Sequence, residues 1–188
     1  VARPRTITDE RLLTAATAVI ARGGPGFTLA QVADEAGVAV GTVAGRFGSK
    51  LGLLRALTEH TTAEVVAAMR AARSGVDPVA GVRAALVGSH ADLGDAASAA
   101  NHLRQLGVDL STPELSELLA AHFAAVEEEL RAAVEAAALP GAPPPRVAAR
   151  VLLSLVNGVS LDWSLRPVGT LVDRLSEDVD AVLAGWHR

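Results

Sequence analysis

The sequence predicts an all-α protein, and three observations carry that reading. Half of the 188 residues are hydrophobic while only 3% are aromatic, so the interior is tiled with Ala, Val and Leu rather than with rings. Tyr is absent, Phe numbers 3 and Ala recurs in runs such as Ala96 to Ala100, a composition that suits helices better than strands. Apolar residues also return at three- and four-residue spacing in segment after segment, punctuated by Gly and Pro.

The first helical pattern opens at Thr8, a capping residue, followed by Asp9 and Glu10, whose charges suit the positive end of the helix dipole. Leu12, Ala16, Val19 and Ile20 then share a face until Gly23, Gly24, Pro25 and Gly26 end the run. Thr28 and Gln31 form a capping box, with Phe27 placed to staple onto Val32. Val32, Ala33 and Ala36 face inward, and Gly37 supplies the left-handed residue that closes this short second helix. After a turn through Val38 and Ala39, a third segment spans Val40 to Phe47. Gly48 and Ser49 break and recap the chain, and a long helix from Lys50 to about Arg73 carries Leu51, Leu54, Leu57, Thr61, Val65 and Met69. Beyond the loop Ser74 to Pro78, helices are expected at about 78–91, 95–107, 112–138, 144–165 and 170–186, making nine in all, with Pro113 and Pro143 to Pro145 at or just before helix starts.

Two short helices joined by a glycine-containing turn and braced by a preceding helix match the helix-turn-helix arrangement, and equally a plain helical hairpin. Residue identities decide between them. Thr28, Val32, Ala33, Ala36, Gly37, Val38, Gly41, Thr42, Val43, Phe47, Ser49 and Lys50 fall in register with a known signature, and the stretch resembles the DNA-binding head of the TetR family, the tetracycline-repressor-like regulators. The resemblance is sharp over residues 8–55 and continues beyond only as helix order and length. It implies a nine-helix architecture: residues 1–50 as N-terminal arm and helix-turn-helix head, residues 51–188 as a ligand-binding and dimerisation bundle.

On the same resemblance, residues 40–46 enter the major groove, the groove whose edges distinguish all four base pairs. Val40, Gly41, Thr42, Ala44 and Arg46 form the expected contact face, Thr28 and Lys50 hold phosphates, and Arg3 and Arg5 reach the minor groove. Ala44 and Gly45 depart from the family pattern, which has a Tyr and a larger neighbour there, and Ala39 replaces a Ser cap. The alternative function is therefore a helical ligand-binding protein whose operator recognition is weak or lost. The expected partners are double-stranded DNA with a palindromic operator, a second copy of the chain and a small-molecule effector that releases a repressor.

The segment 144–165 is apolar around nearly its whole circumference and so needs cover on every side. Leu152, Leu155, Val156 and Val159, with Leu175, Val179, Val182 and Trp186 of the last helix, are the expected homodimer interface; a buried central helix in a monomer is the other reading. The effector pocket that the resemblance implies falls among Met69, Leu86, His90, Leu103, Leu106, His122, Phe123 and Trp163, an apolar set with two polar tips that suits a hydrophobic molecule.

Charge and composition narrow the functions further. Residues 1–50 carry six basic and four acidic side chains, net +2, against 11 basic and 17 acidic in the other 138, so a weakly basic head sits on an acidic body. Cysteine is absent, which removes disulfides, thiolate nucleophiles and sulfur-ligated zinc. No uncharged run reaches the roughly 18 residues of a membrane span and no export leader is evident, so a soluble cytoplasmic protein without membrane attachment is expected. Catalytic signatures are missing: no nucleophile elbow, phosphate loop or dinucleotide fingerprint occurs. His60 and Glu64 are one pair where a metal needs three or four ligands, and Glu127 to Glu129 read as a solvated face. No enzyme activity, cofactor or metal is expected.

Overall fold

The computed structural model describes residues 7–88 and 94–188. Among these, α1 (Asp9–Gly23), α2 (Leu29–Ala36), α3 (Val40–Phe47), α4 (Lys50–Ala72), α5 (Pro78–Gly88), α6 (Ala96–Ser111), α7 (Pro113–Ala137), α8 (Pro145–Leu165) and α9 (Leu171–Trp186) follow in order, with a 3-10 turn at Gly24–Gly26. The all-α class and the helix order are those the sequence predicts.

The helix starts follow from side chains that satisfy free backbone N–H groups. Ser49 Oγ accepts from Gly52 N at 3.1 Å, Asp95 Oδ1 from Ser98 N at 2.8 Å and Thr170 Oγ1 from Asp173 N at 3.1 Å. Proline opens α7 and α8. One boundary moves: α6 runs on to Ser111 instead of stopping near Gly107. A lone helical glycine weakens a helix by about 1 kcal/mol and does not end it. The stop comes where the Ser111 and Thr112 hydroxyls each donate to the Val108 carbonyl at 2.9 Å and Pro113 begins a new helix.

Two apolar cores result. The head core gathers Leu12, Leu13, Ala16 and Ile20 of α1, Phe27, Val32, Ala33 and Ala36 around α2, and Val43 of α3. It does not end at Lys50: Leu53 and Leu54 belong to it, Leu57 packs on it, and Leu115 of α7 closes its underside. The body core joins Met69 of α4 to Val82, Leu86, Leu130, Leu152, Val156, Leu175 and Val179. Helix α4 therefore has its first turns in one core and Met69, near its last turn, in the other.

The expectation that Glu127 to Glu129 form a solvated face fails at Glu129, which is only 8% exposed. Successive helix positions point about 100° apart, so three in a row cannot all face water on a helix packed against a neighbour. Glu129 meets α4 instead. Its Oε1 accepts from Arg70 Nε at 2.8 Å and Nη2 at 2.6 Å, its Oε2 from Arg73 Nη2 at 2.6 Å, and its backbone carbonyl from Arg73 Nη1 at 2.7 Å. At the far end of the body, Gly141 N–H donates to the Trp186 carbonyl at 2.8 Å, tying the α7–α8 linker to the end of α9. A Cβ at Gly141 would lie 3.1 Å from that oxygen. No described helix is long and apolar enough to cross a membrane.

Candidate nucleic-acid interface

The head is assembled by local signals that the structure realises in detail. Thr28 N donates to Gln31 Oε1 at 2.8 Å while Gln31 N returns a bond to Thr28 Oγ1 at 3.3 Å, so both halves of the capping box form. Phe27 and Val32 are both buried in the head core. Gly37 takes φ 70° and ψ 38°, and the chain closes on itself through Val38 N to Ala33 O at 2.9 Å. Arg11 of α1 donates to Ala36 O at 3.1 Å, using an end carbonyl of α2.

This frame fixes which side of α3 faces out. Val43 is fully buried and Phe47 packs against the head core, so the opposite side is open. Val40, Gly41, Thr42, Gly45 and Arg46 are exposed, Ala44 is half-buried, and Thr28 lies exposed at the start of α2. Ala39 makes no side-chain cap, so α3 begins without that support. A Cβ at Gly41 or Gly45 would meet nothing within 4 Å. The packing of the chain does not require either glycine.

Two cations of the expected interface have partners. Arg46 Nη1 donates to Asp9 Oδ1 at the start of α1, both side chains being well exposed. Lys50 is half-buried, its Nζ donating to the carbonyls of Pro25 at 2.5 Å and Phe27 at 2.8 Å and lying 4.2 Å from the centre of the Phe27 ring. Burial holds its ammonium below the ordinary lysine range. Arg3 and Arg5 lie outside the described residues.

Residues 12–57 match the family model described as bacterial regulatory proteins, tetR family. Over these residues the head is of the TetR family. The fold agrees over nearly the full length. A transcriptional regulator from Rhodococcus sp. Rha1 superposes with a TM-score of 0.75 at 24% identity, covering 95% of this chain and 97% of that one. A TetR-family regulator from Agrobacterium tumefaciens gives 0.75 at 21% identity over 94% and 95%. SmeT, the repressor of the Stenotrophomonas maltophilia multidrug efflux pump SmeDEF, gives 0.69 at 25% identity over 95% and 89%. No curated protein matches the chain significantly.

In the body, the residues expected at the dimer interface and in the pocket divide between filled core and partly open surface. Leu152, Val156, Val159, Leu175 and Val179 are at most 8% exposed within the single chain, and Leu155, Val182 and Trp186 pack half-buried on the same core. Within the protomer they belong to the body core or pack on it. The open apolar residues of α8 are Val151, Leu161 and Leu165, at 43%, 50% and 72% exposure, on a stripe with Leu155 and Gly158. A sequence in which every face of α8 is apolar does not show which face α9 and α7 will take.

The expected pocket residues also divide. Met69, Leu86 and Trp163 are filled core, at most 4% exposed, and His90 lies outside the described residues. Leu103, Leu106, His122 and Phe123 are half-buried. Among the described residues, open clefts of about 370, 460 and 510 Å³ lie elsewhere: between α1 and α2, between the start of α5 and the end of α9, and beside the Gly26–Phe27 turn. His122 nevertheless has a defined role. Its Nδ1 lies 2.9 Å from Thr62 Oγ1 of α4, and that hydroxyl donates its one proton to Thr58 O at 2.7 Å. The imidazole is therefore the donor to Thr62, and burial keeps its pKa below the ordinary histidine value, which leaves Nε2 as a neutral acceptor.

Sequence reasoning missed Asp9 as the partner of Arg46, Asn101 as a link from α6 to α1, and the Glu129 cluster. His60 and Glu64 do meet, 3.2 Å apart on α4. Only the Asp9 pairing had a local signal, the surplus of acid at the start of α1.

Proposed function

We propose that this chain is a sequence-specific DNA-binding transcriptional regulator, acting as a homodimer on a palindromic operator and released from it, as a repressor, by a small hydrophobic effector. The observation that carries the reading is the orientation of α3: Val43 seals the core while Thr42 and Arg46 stand on the open side of the same helix. Residues 1–50 are the DNA-reading part and 51–188 the sensing and pairing part, with α4 common to both cores. The stripe of Val151, Leu155, Gly158, Leu161 and Leu165 is the surface of α8 suited to a two-fold partner, which would place two reading helices about one DNA turn apart. The neutral acceptor of His122, beside α4 and the edge of Phe123, suits an effector with a hydroxyl or N–H on an apolar body. SmeT has also been solved with triclosan, at 25% identity to this chain.

Fluorescence anisotropy with the DNA upstream of the chain's own gene tests the reading. Binding should weaken steeply with salt, with a logarithmic slope of several counterions, and Arg46→Ala should reduce both affinity and slope. Absent or salt-insensitive binding across a genomic fragment library would leave a ligand-binding protein without an operator.

Two further results are expected at this interface. Asp9→Asn should raise DNA affinity about two- to fivefold, because Arg46 is freed from an exposed ion pair of small worth and a negative charge leaves the phosphate-facing side. Titration of the variant at two salt concentrations checks this. Gly41→Ala and Gly45→Ala should each stabilise the chain by about 1 kcal/mol, since alanine is the better helix former and open space receives the methyl. DNA affinity should fall, because the added methyls stand between the α3 backbone and the base edges. Opposite signs in urea unfolding and in DNA titration are the signature.

A further inference from the structure

The turn between α1 and α2 is held from two sides, by Asn101, to which the DNA reading gives no role, and by Lys50, which that reading assigns to phosphate. From the body, Asn101 of α6 donates through Nδ2 to the Ala21 carbonyl at 2.8 Å, in the last turns of α1. Its Oδ1 accepts from Arg104 Nη1 at 2.7 Å and lies 3.2 Å from the point where a Cβ on Gly24 would sit. Gly24 is buried, with φ 64° and ψ −156°, a conformation open essentially to glycine alone. The turn is thus fitted closely against Asn101. From the other side Lys50, the first residue of α4, donates to the carbonyls of Pro25 and Phe27 and covers the Phe27 ring. Phe27 leads directly into the Thr28 cap and is itself core, so the angle of this turn becomes the angle of α2, and through the Gly37 turn that of α3.

We propose that Asn101 and Lys50 are positioning residues that grip the turn 24–27 from α6 and α4 and set the angle at which α2 and α3 are held on the body, with Lys50 engaged by the turn and not by DNA phosphate. Two of the three N–H donors of Lys50 are directed at carbonyls, and its half-buried ammonium is held against an aromatic face. An exposed, freely rotating lysine at a helix start would have none of these partners. The part of the proposal that concerns phosphate rests on the DNA-binding reading; the part that concerns head orientation does not.

The absence of native cysteine makes the orientation measurable. Ala30→Cys on α2 and Ala136→Cys on α7, both exposed, accept spin labels in the full chain, with labelled chains diluted into unlabelled ones so that distances within one chain dominate. The parent should give one narrow head-to-body distance distribution. Asn101→Ala and Lys50→Met should each at least double its width while far-UV circular dichroism keeps the same helix content. Asn101→Ser, which cannot reach the Ala21 carbonyl but keeps a polar side chain, provides a second variant should Asn101→Ala lose helix content, and is also expected to broaden the distribution. Unchanged widths in the folded Asn101 and Lys50 variants would overturn the proposal.

A second measurement separates positioning from phosphate contact. Lys50→Met should weaken DNA binding with its salt slope unchanged, whereas Arg46→Ala should lower the slope by about one. A drop of about one in Lys50→Met overturns the assignment of Lys50. Should the parent bind no DNA at all, the proposed function fails while the distance measurement still decides the role of the turn.

Discussion

Replacing Gly52 with alanine will destabilise the head by about 2–3 kcal/mol, although alanine is the better helix former by about 1 kcal/mol. A Cβ at this position would stand 2.0 Å from the carbonyl oxygen of Phe47 and 3.2 Å from its carbon. Both are backbone atoms, so no rotamer change relieves the contact. The carbonyl must retreat by more than about 1 Å before it reaches ordinary van der Waals separation, and it is already the acceptor for Ser49 N at 2.8 Å. Because Phe47 is the last residue of α3, that retreat drags the outward-facing helix away from the first turn of α4. The urea midpoint should fall, and in the same preparation DNA affinity should fall with it. Gly45→Ala is the matched control: the same change in the same head, with nothing within 4 Å of the new methyl, should move the midpoint upward. Equal shifts for the two variants would mean that α3 and α4 do not approach as closely as described.

Glu129→Ala should lower the stability of the body by about 3 kcal/mol, the lower end of the range for removing one partner from a buried ion pair. The size follows from what is left behind. Arg73, whose side chain is 21% exposed, loses its carboxylate partner while its Nε is already buried without one. Arg70, at 65% exposure, can turn to water, which keeps the loss from being larger. Glu135→Ala removes a partner of Arg131 whose own side chain is 63% exposed, and should change stability little. Since the Glu129 cluster is shielded, added salt should not erase the difference between the parent and Glu129→Ala. The cluster ties the last turns of α4 to α7, so its loss also loosens the end of the helix that links the two cores. Hydrogen exchange over residues 66–73 should quicken in the variant, against little change around residues 50–57.

Much of the head was legible before any coordinates because its determinants are local. A capping box acts over three residues, Gly37 acts on its own backbone, and the apolar spacing of α1 selects Leu12, Ala16 and Ile20 without reference to anything distant. The α3 face was legible for the same reason, since Val43 and Phe47 leave Thr42 and Arg46 opposite. The partners of Lys50 were not legible because the Pro25 and Phe27 carbonyls are 25 and 23 residues away and backbone atoms carry no sequence label. Glu129 was misjudged because a run of three acids looks solvated until the neighbouring helix that one of them must face is known.

What the sequence by itself determined is therefore the helical class, nearly every helix boundary, the register of the helix-turn-helix head and its match to the TetR-family head. Each depends on backbone hydrogen bonding and periodicity within a few residues. Only the tertiary structure decided which face of α8 remains open, that Met69, Leu86 and Trp163 are filled core, which cations of the head have partners, and where Gly24 and Gly52 permit close approach. Those are properties of surfaces brought together from distant parts of the chain, and an Ala-, Val- and Leu-rich sequence with several equivalent apolar faces leaves that choice to packing.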